Sequence, residues 1–474
     1  MDDLMLSRRR YLAGALATAG LLAAAPLRAL VPPALLVENV TRLYPVEVAR
    51  VGTPGSTTEV AEMVRAWPAR VAVGGGRYSM GGQVAIAGGL HLDMRGMNQL
   101  VWLRAADRRV RVQAGMRWRD LQDHLDPLDL SVKTMQSYAN FSVGGSVSVN
   151  VHGRYVGHGP IVNTVRALQL VLADGGIVEA TPTHNAELFR AAIGGYGAVG
   201  VITEVELDLA DNVCIERVVR ASKLEDYVEH FEQQVLGDPA SVLHNADLLP
   251  PEFDAPVGVT WRRCDRPLTE LARLVPRGKT YELERDVIWG VTELPGGAKF
   301  RRSVLQPMLQ KGQVVKRLNH EASLDVAELE PRSRTESTYV LQEYFIPKRH
   351  FLAFARAMAA TLRQRHVNAL NVSIRHSPAD SLSLLPWAKE EVFSFVLYYK
   401  QKTDAAEQAR VGEWTRELIA LALRHEGRYY LPYQLHATRE QFAQAYPESA
   451  ALRALKQRVD PAGKFSNELW ARYL

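Results

Sequence analysis

The sequence predicts an α+β fold in two unequal parts, and three observations carry that reading. A short β-prone run at 71–73 empties into five glycines within nine residues, Gly74, Gly75, Gly76, Gly81 and Gly82. Two more glycine-rich blocks follow, at 141–164 and 194–200, each set between strand-like and helix-like segments. From about Asn212 glycine thins out, and alternating strands at 337–347 and 370–376 and a buried-type strand at 392–400 stand out.

The bulk numbers suit a globular protein of two or three domains: 474 residues, 47% hydrophobic and 23% charged. Formal charge is +5; the first 29 residues hold four arginines against two aspartates, and without them it is +3. So small and scattered an excess, without a basic face interleaved with aromatics, argues against a nucleic-acid partner. Cys214 and Cys264 are the only cysteines, and no Cys/His spacing reads as a metal site. The two thiols are expected to stay unpaired, although export would permit a bridge.

The N-terminus, 1–30, reads as a leader. Ser7-Arg8-Arg9-Arg10-Tyr11-Leu12 precedes a 14-residue apolar run and Pro26. Such a run is too short for a dependable membrane span. Paired arginines followed by an aromatic and a leucine resemble the twin-arginine export signal, implying a periplasmic or extracellular protein with no stable membrane span once the signal is removed.

Strand 47–51, an amphipathic helix over 57–67 and strand 71–73 lead into the first glycine block. Val60, Met63, Val64 and Trp67 share one face of that helix. Glycine lets backbone amides approach a ligand without an intervening Cβ, and successive exposed amides make an anion-binding nest. A Walker loop needs Gly-Lys-Ser/Thr, which is absent, and a Rossmann fingerprint fails because Gly74-x-Gly76 is followed by Ser79. Strands at 89–94 and 109–113 come next, then a helix over 118–125. His91, alone on its strand, reads as structural.

In the second block, 142–145 reads as a tight turn, followed by alternating small residues to Val151. Small residues in series suit a flat ring lying directly on the backbone. His152 and His158 have the wrong spacing for a metal pair; His152 is expected to hold the loop or a ligand by hydrogen bonds. A hairpin over 165–179 follows, then a helix from Asn185, its expected cap, and a third glycine cluster feeding strand 201–209.

This ordered set resembles the FAD-binding domain of the vanillyl-alcohol-oxidase (PCMH-type) flavoproteins. The set is the strand and nest, Ser-Val-Gly-Gly with a His-Gly loop, Ala-Asp-Gly, Glu-Leu-Phe, and Gly-Gly-x-Gly-x-x-Gly-Val-Ile-Thr. The resemblance covers roughly 43–209. It implies an FAD-binding domain over 38–210, a substrate-binding cap over 211–425, and a segment over 426–474 returning to the first domain. By resemblance Gly74, Gly75, Gly76, Arg77, Tyr78, Ser79, Gly81 and Gly82 wrap the FAD pyrophosphate. Ser142, Gly144, Gly145, His152 and Gly153 line the flavin, and Gly197, Gly200 and Ile202 hold the adenine end. Many members join the flavin covalently to a histidine in the first nest. Tyr78 stands there in this chain, and 71–83 contains no histidine, so non-covalent FAD is expected.

The later strands resemble those of alditol oxidase, aldonolactone oxidases and decaprenylphosphoryl-ribose oxidase, whose sheet stands over the flavin. Alternation puts Gln342 and Tyr344 on one face of 337–347, with Leu341, Glu343 and Phe345 on the other. Asn371, Ser373 and Arg375 share a face of 370–376 and could wall a polar pocket. Gln342, Asn371 and Ser373 are therefore candidate substrate contacts. Two departures stand out: Ser373-Ile374-Arg375 replaces the Glu-x-Arg of the sugar-lactone and alditol enzymes, and Tyr433 occupies a lysine position of several relatives. The closing segment, 459–467, resembles the family's passage beside the isoalloxazine ring, which makes Asn467 a flavin contact.

The cofactor carries the redox chemistry; the protein must orient a C–H bond, accept a hydroxyl proton and stabilise charge. Arg375 is the candidate for charge stabilisation or substrate binding, and Tyr344, Tyr433 and His436 for proton removal. The expected activity is oxidation of an alcohol, whether sugar, polyol or lactone, by hydride transfer to FAD. Oxygen, a quinone or a cytochrome would then reoxidise the flavin. The alternatives are a cyclase or oxidase of aromatic or amine substrates, and a non-catalytic flavin-binding relative.

Overall fold

A computed structural model describes residues 35–474 apart from 310 and 332, so the leader read at 1–30 lies outside the described residues. The helix Thr57–Ala66 starts at Ser56, whose side-chain oxygen accepts from the Glu59 amide at 3.2 Å, meeting one of the amides a helix start leaves unpaired. Its inner face buries Val60, Ala61 and Val64. Full burial of a valine contributes about 1.5–3 kcal/mol, enough to seat this short helix. It accompanies a three-stranded parallel sheet, ordered Arg50–Gly52, Leu90–Asp93, Val71–Gly74. The strand expected at 47–51 is split in two, Val46–Val48 and Arg50–Gly52.

The C-terminal segment completes this sheet. Val71 N donates to Lys464 O at 2.7 Å, Ser466 N donates to Val71 O at 3.0 Å, and Phe465 between them is fully buried. Asp460 shapes that return by accepting from the amides of Lys464 and Phe465 at 2.7 and 2.8 Å.

A second, antiparallel sheet runs Ile177–Ala180, Val165–Val171, Val201–Asp211, Arg109–Gln113, Leu100–Arg104; Leu130–Val132 extends it beside the end of the long strand. The expected hairpin is its edge. The segment 142–145, expected as a turn, instead opens a helix, Val143–Ser148. Its small residues serve close packing: a Cβ on Gly144 would lie 2.5 Å from the Ala114 Cβ. Asn185 occupies the N-cap position of the helix Ala186–Ala192, as expected, but its side chain makes no capping bond. It has φ 49° and gives its side-chain amide to Glu179 O at 2.7 Å.

The third sheet has eight antiparallel strands, in the order Val315–Arg317, Cys214–Ala221, Val257–Arg263, Ser241–Leu248, Ala369–Ser377, Val392–Lys402, Ser337–Pro347, Arg428–Tyr429. Helices Phe351–Gln364 and Ala405–Arg424 cover one face, burying Phe354, Met358, Trp414 and Leu418 among others. Cys214 and Cys264 hold free thiols 3.7 Å apart at one end of this sheet. No helix among the described residues is long and apolar enough to cross a membrane.

Candidate active site

The uncovered face of the eight-stranded sheet, the first glycine block and the Val143–Ser148 helix enclose a cavity of about 840 Å³. Gly75, Gly76, Arg77, Tyr78 and Ser79 line one wall. Arg77 takes φ 62°, and its guanidinium is held by Asp93 Oδ2 at 2.9 Å and His91 Nε2 at 3.0 Å. Burial, with Arg77 alongside, pushes His91 down to about 4, so it is neutral; its Nδ1–H donates to Val84 O at 2.9 Å. His91 is thus structural, and Gly74 lacks a Cβ because one would sit 2.4 Å from the imidazole.

Gly76 N donates to Ser142 Oγ at 3.1 Å, tying the first glycine block to the second. A Cβ on Gly75 would lie 2.1 Å from that same oxygen. Gly81 and Gly82 do not line the cavity. Gly81 lies against Tyr433 O, and Gln83 staples the loop by donating to Leu431 O and Tyr433 O at 2.7 and 2.8 Å. Gly82 takes φ 87° beside Glu468.

Ser142, Gly144, Gly145 and His152 line the cavity, as do Gly197, Gly200 and Ile202 at its far end. Gly153 does not; it passes Met135 O, which a Cβ would approach to 2.0 Å. Asn467 also lies outside the lining, against expectation. Its Oδ1 accepts from Trp470 N at 3.0 Å and its Nδ2 donates to Tyr196 O at 2.8 Å, so it positions the turn carrying Gly197. Tyr78 stacks on Phe141, ring centroids 4.1 Å apart, and burial pushes its phenol up to about 12.

The sheet supplies the opposite wall. Asn371, Ser373 and Arg375 all face the cavity, as the alternation predicted. The Ser337–Pro347 strand, two places along the sheet, presents the other face from the one expected: Leu341 and Glu343 line the cavity, whereas Gln342 and Tyr344 point into the helix-covered core. The Tyr344 hydroxyl is buried without a partner there, 6.0 Å separating its ring from that of Phe354. His436 is likewise outside, packed at Gly412 of the Ala405–Arg424 helix and held neutral by burial, down to about 4. Neither Tyr344 nor His436 is placed to remove a substrate proton.

Tyr433 does face the cavity, and its hydroxyl donates to Glu343 Oε2 at 3.2 Å. Glu343 Oε1 lies 2.6 Å from His152 Nε2. Burial pushes the Glu343 carboxyl up, but His152 and then Arg375 outweigh it and hold the group below the usual carboxylate range. Burial, and then Glu343, pushes the Tyr433 phenol well up, so it is a neutral donor. Asp247, half-buried at the cavity wall, is raised by desolvation and accepts from Asn371 Nδ2 at 2.9 Å. Asp247, Ser373, Val396 and Glu343 form one row across four strands. Sequence reasoning missed Asp247 and Glu343. The available signal was an acid embedded in the apolar run 339–347, since a buried charge needs a specific partner.

The cavity suits a dinucleotide. Gly75, Gly76 and Gly145 leave backbone open to the cavity, and the amides of Arg77, Tyr78 and Ser79 meet no protein acceptor among the described residues. Buried polar atoms of the lining also lack partners: Arg77 Nε, Ser137 Oγ, His152 Nδ1 and Arg375 Nε. No group of His, Cys, Asp and Glu among the described residues could hold a metal ion.

A glycine-built cleft facing a polar sheet defines a flavin-binding oxidoreductase, and comparison with known proteins gives the same class. Residues 48–181 match the FAD binding domain model, and 326–473 match the D-arabinono-1,4-lactone oxidase model. The chain belongs to the PCMH-type FAD-binding oxidoreductase family, and its cofactor is FAD. It is 23% identical to L-gulonolactone oxidase of Bos taurus over 87% of this chain and 92% of that one. Alditol oxidase of a Streptomyces species is 32% identical over 33% of this chain and 37% of its own. Cytokinin dehydrogenase 4 of Oryza sativa is 30% identical over 39% of this chain and 38% of its own. The chain thus spans nearly all of the bovine relative and under half of the other two.

Proposed function

We propose that this protein oxidises a hydroxyl-bearing carbon of a sugar-like substrate. The observation that carries this reading is the cluster of Arg375, Glu343 and Tyr433, with Asp247 and Asn371, facing the glycine-built wall across one cavity. Bound FAD supplies a two-electron acceptor for hydride. Loss of hydride from carbon and of a proton from oxygen converts CH–OH to C=O. Tyr433 takes the hydroxyl proton while passing its own to Glu343, since a neutral phenol already donating to a carboxylate can relay in one motion. Arg375, with Nε unpartnered, binds the substrate oxygen, where its fixed charge stabilises developing negative charge. His152 holds Glu343 in place.

The first glycine block and Ser142–Gly145 would hold the dinucleotide, non-covalently because Tyr78 stands where a histidine would link. The oxidase names of several relatives support dioxygen as the electron acceptor. The Arg8-Arg9-Arg10 leader supports export by the twin-arginine route to the periplasm or beyond.

Anaerobic mixing of the FAD-loaded enzyme with aldonolactones, alditols and sugars tests the reading. Bleaching of the flavin absorbance by at least one hydroxyl donor, and peroxide formation when air is admitted, is the expected result. Bleaching only by amines or aromatic substrates, or by nothing, would overturn it. Reoxidation by a quinone or cytochrome but not by air would replace oxygen as acceptor.

A further inference from the structure

The helix Glu282–Glu293 is anomalous: of its twelve residues, none is buried. Leu283, Val287 and Val291 nevertheless recur at four-residue spacing on one stripe, which a packed helix would bury. All three line the cavity, with Leu305 from the following helical segment. The segment is fastened at its far end. Thr292 Oγ1 lies 2.9 Å from the Tyr339 hydroxyl, Glu293 pairs with Lys400, and Arg301 donates to Leu370 O at 2.8 Å. Towards the other end Leu283 is 74% exposed, so the apolar stripe runs from solvent to the cavity interior. Beneath it the sheet presents the opposite chemistry, Asp247, Asn371, Ser373 and Arg375.

The geometry points to an amphiphilic substrate: a hydroxylated head on the polar sheet, carrying an alkyl or aryl substituent that lies along the Leu283–Val287–Val291 stripe. A small polyol would leave that stripe facing water, whereas an apolar substituent covers it. The assignment rests on the alcohol-oxidation reading above, because that reading places the head against Arg375 and Tyr433. Burial of each methylene contributes about 0.8 kcal/mol, so covering two or three gives roughly a 15- to 60-fold gain in affinity.

The test uses the FAD-loaded full chain and paired glycosides of ribose, arabinose, glucose and galactose, each with a methyl or an octyl aglycone, below micellar concentrations. Flavin bleaching and the perturbation of the flavin spectrum on binding are recorded separately. We expect half-saturation at a concentration at least about 15-fold lower for an octyl glycoside than for its methyl partner. Val287→Asp and Val291→Asp should each cut that ratio below about threefold. Equal half-saturation for the two aglycones in the parent protein would overturn the amphiphile assignment while leaving alcohol oxidation standing. Tight, octyl-dependent spectral perturbation without bleaching would keep the apolar subsite and sink the oxidation reading. Absence of both signals would overturn the assignment.

Discussion

His152 Nε2 and Glu343 Oε1 meet at 2.6 Å, so the loop within the second glycine block grips the middle of the Ser337–Pro347 strand inside the catalytic cavity. Buried hydrogen bonds to a charged acceptor are short and strong, and losing one partner leaves the other exposed to a low-dielectric site. Glu343→Gln keeps the shape but removes the charge that receives the Tyr433 proton. Flavin reduction by a good donor should slow about 100-fold or more with FAD content unchanged, as stopped-flow absorbance would show.

The two faces of the Ser337–Pro347 strand separate roles cleanly. Tyr433→Phe should lower the reduction rate at least tenfold. Tyr344→Phe should leave it within about twofold, because that hydroxyl sits in the core without a partner. Removing an unsatisfied buried hydroxyl should also raise thermal stability slightly, by up to about 1 kcal/mol. His436→Gln should likewise leave the rate within about twofold. A large rate loss in Tyr344→Phe would restore the discarded face, and one in His436→Gln would return His436 to the site.

Gly75→Ala places a Cβ 2.1 Å from Ser142 Oγ, at the seam between the two glycine blocks. Overpacking of this kind costs about 1–3 kcal/mol, so FAD affinity should fall roughly ten- to a hundredfold, measured by fluorescence of released flavin. Ser142→Ala in the same chain removes the clashing oxygen and should recover part of the loss.

His91, His244 and His436 are buried and pushed down, to about 4, about 3 and about 4, burial being the first cause in each. A histidine with a depressed folded pKa binds protons more readily when unfolded. Stability is therefore full above the ordinary histidine value near 6.5 and falls as pH drops from there towards 4. Each group contributes up to about 1.4 kcal/mol per pH unit in that window. Chemical denaturation at pH 7, 6 and 5 should show the midpoint falling steadily; a flat profile would contradict neutral burial of these rings.

Acid precipitation of the native protein should leave the flavin colour in the supernatant, because Tyr78 stacks on Phe141 and offers no imidazole for attachment. Colour retained in the pellet would assign a covalent bond elsewhere in the cleft.

Local chemistry settled much of this protein in advance. The glycine blocks, the Thr57–Ala66 helix, the hairpin edge and the inward face of Ala369–Ser377 were legible because glycine tolerance, capping and alternation are properties of neighbouring residues. Alternation also resolved the two faces of Ser337–Pro347, but it cannot say which one meets the cavity. That choice belongs to the partners: two helices cover Tyr344, while His152, 191 residues earlier, meets Glu343. The row joining Asp247 to Ser373 and Glu343 arises only when four distant strands take their register. Asn467 and His436 sat in plausible motifs, yet packing spent both elsewhere, one on a helix cap and one on a helix face. A flavin cleft and its wall of strands could be read from the residues alone; which acids face that cleft emerges only on folding, since long-range pairing leaves no local periodicity to read.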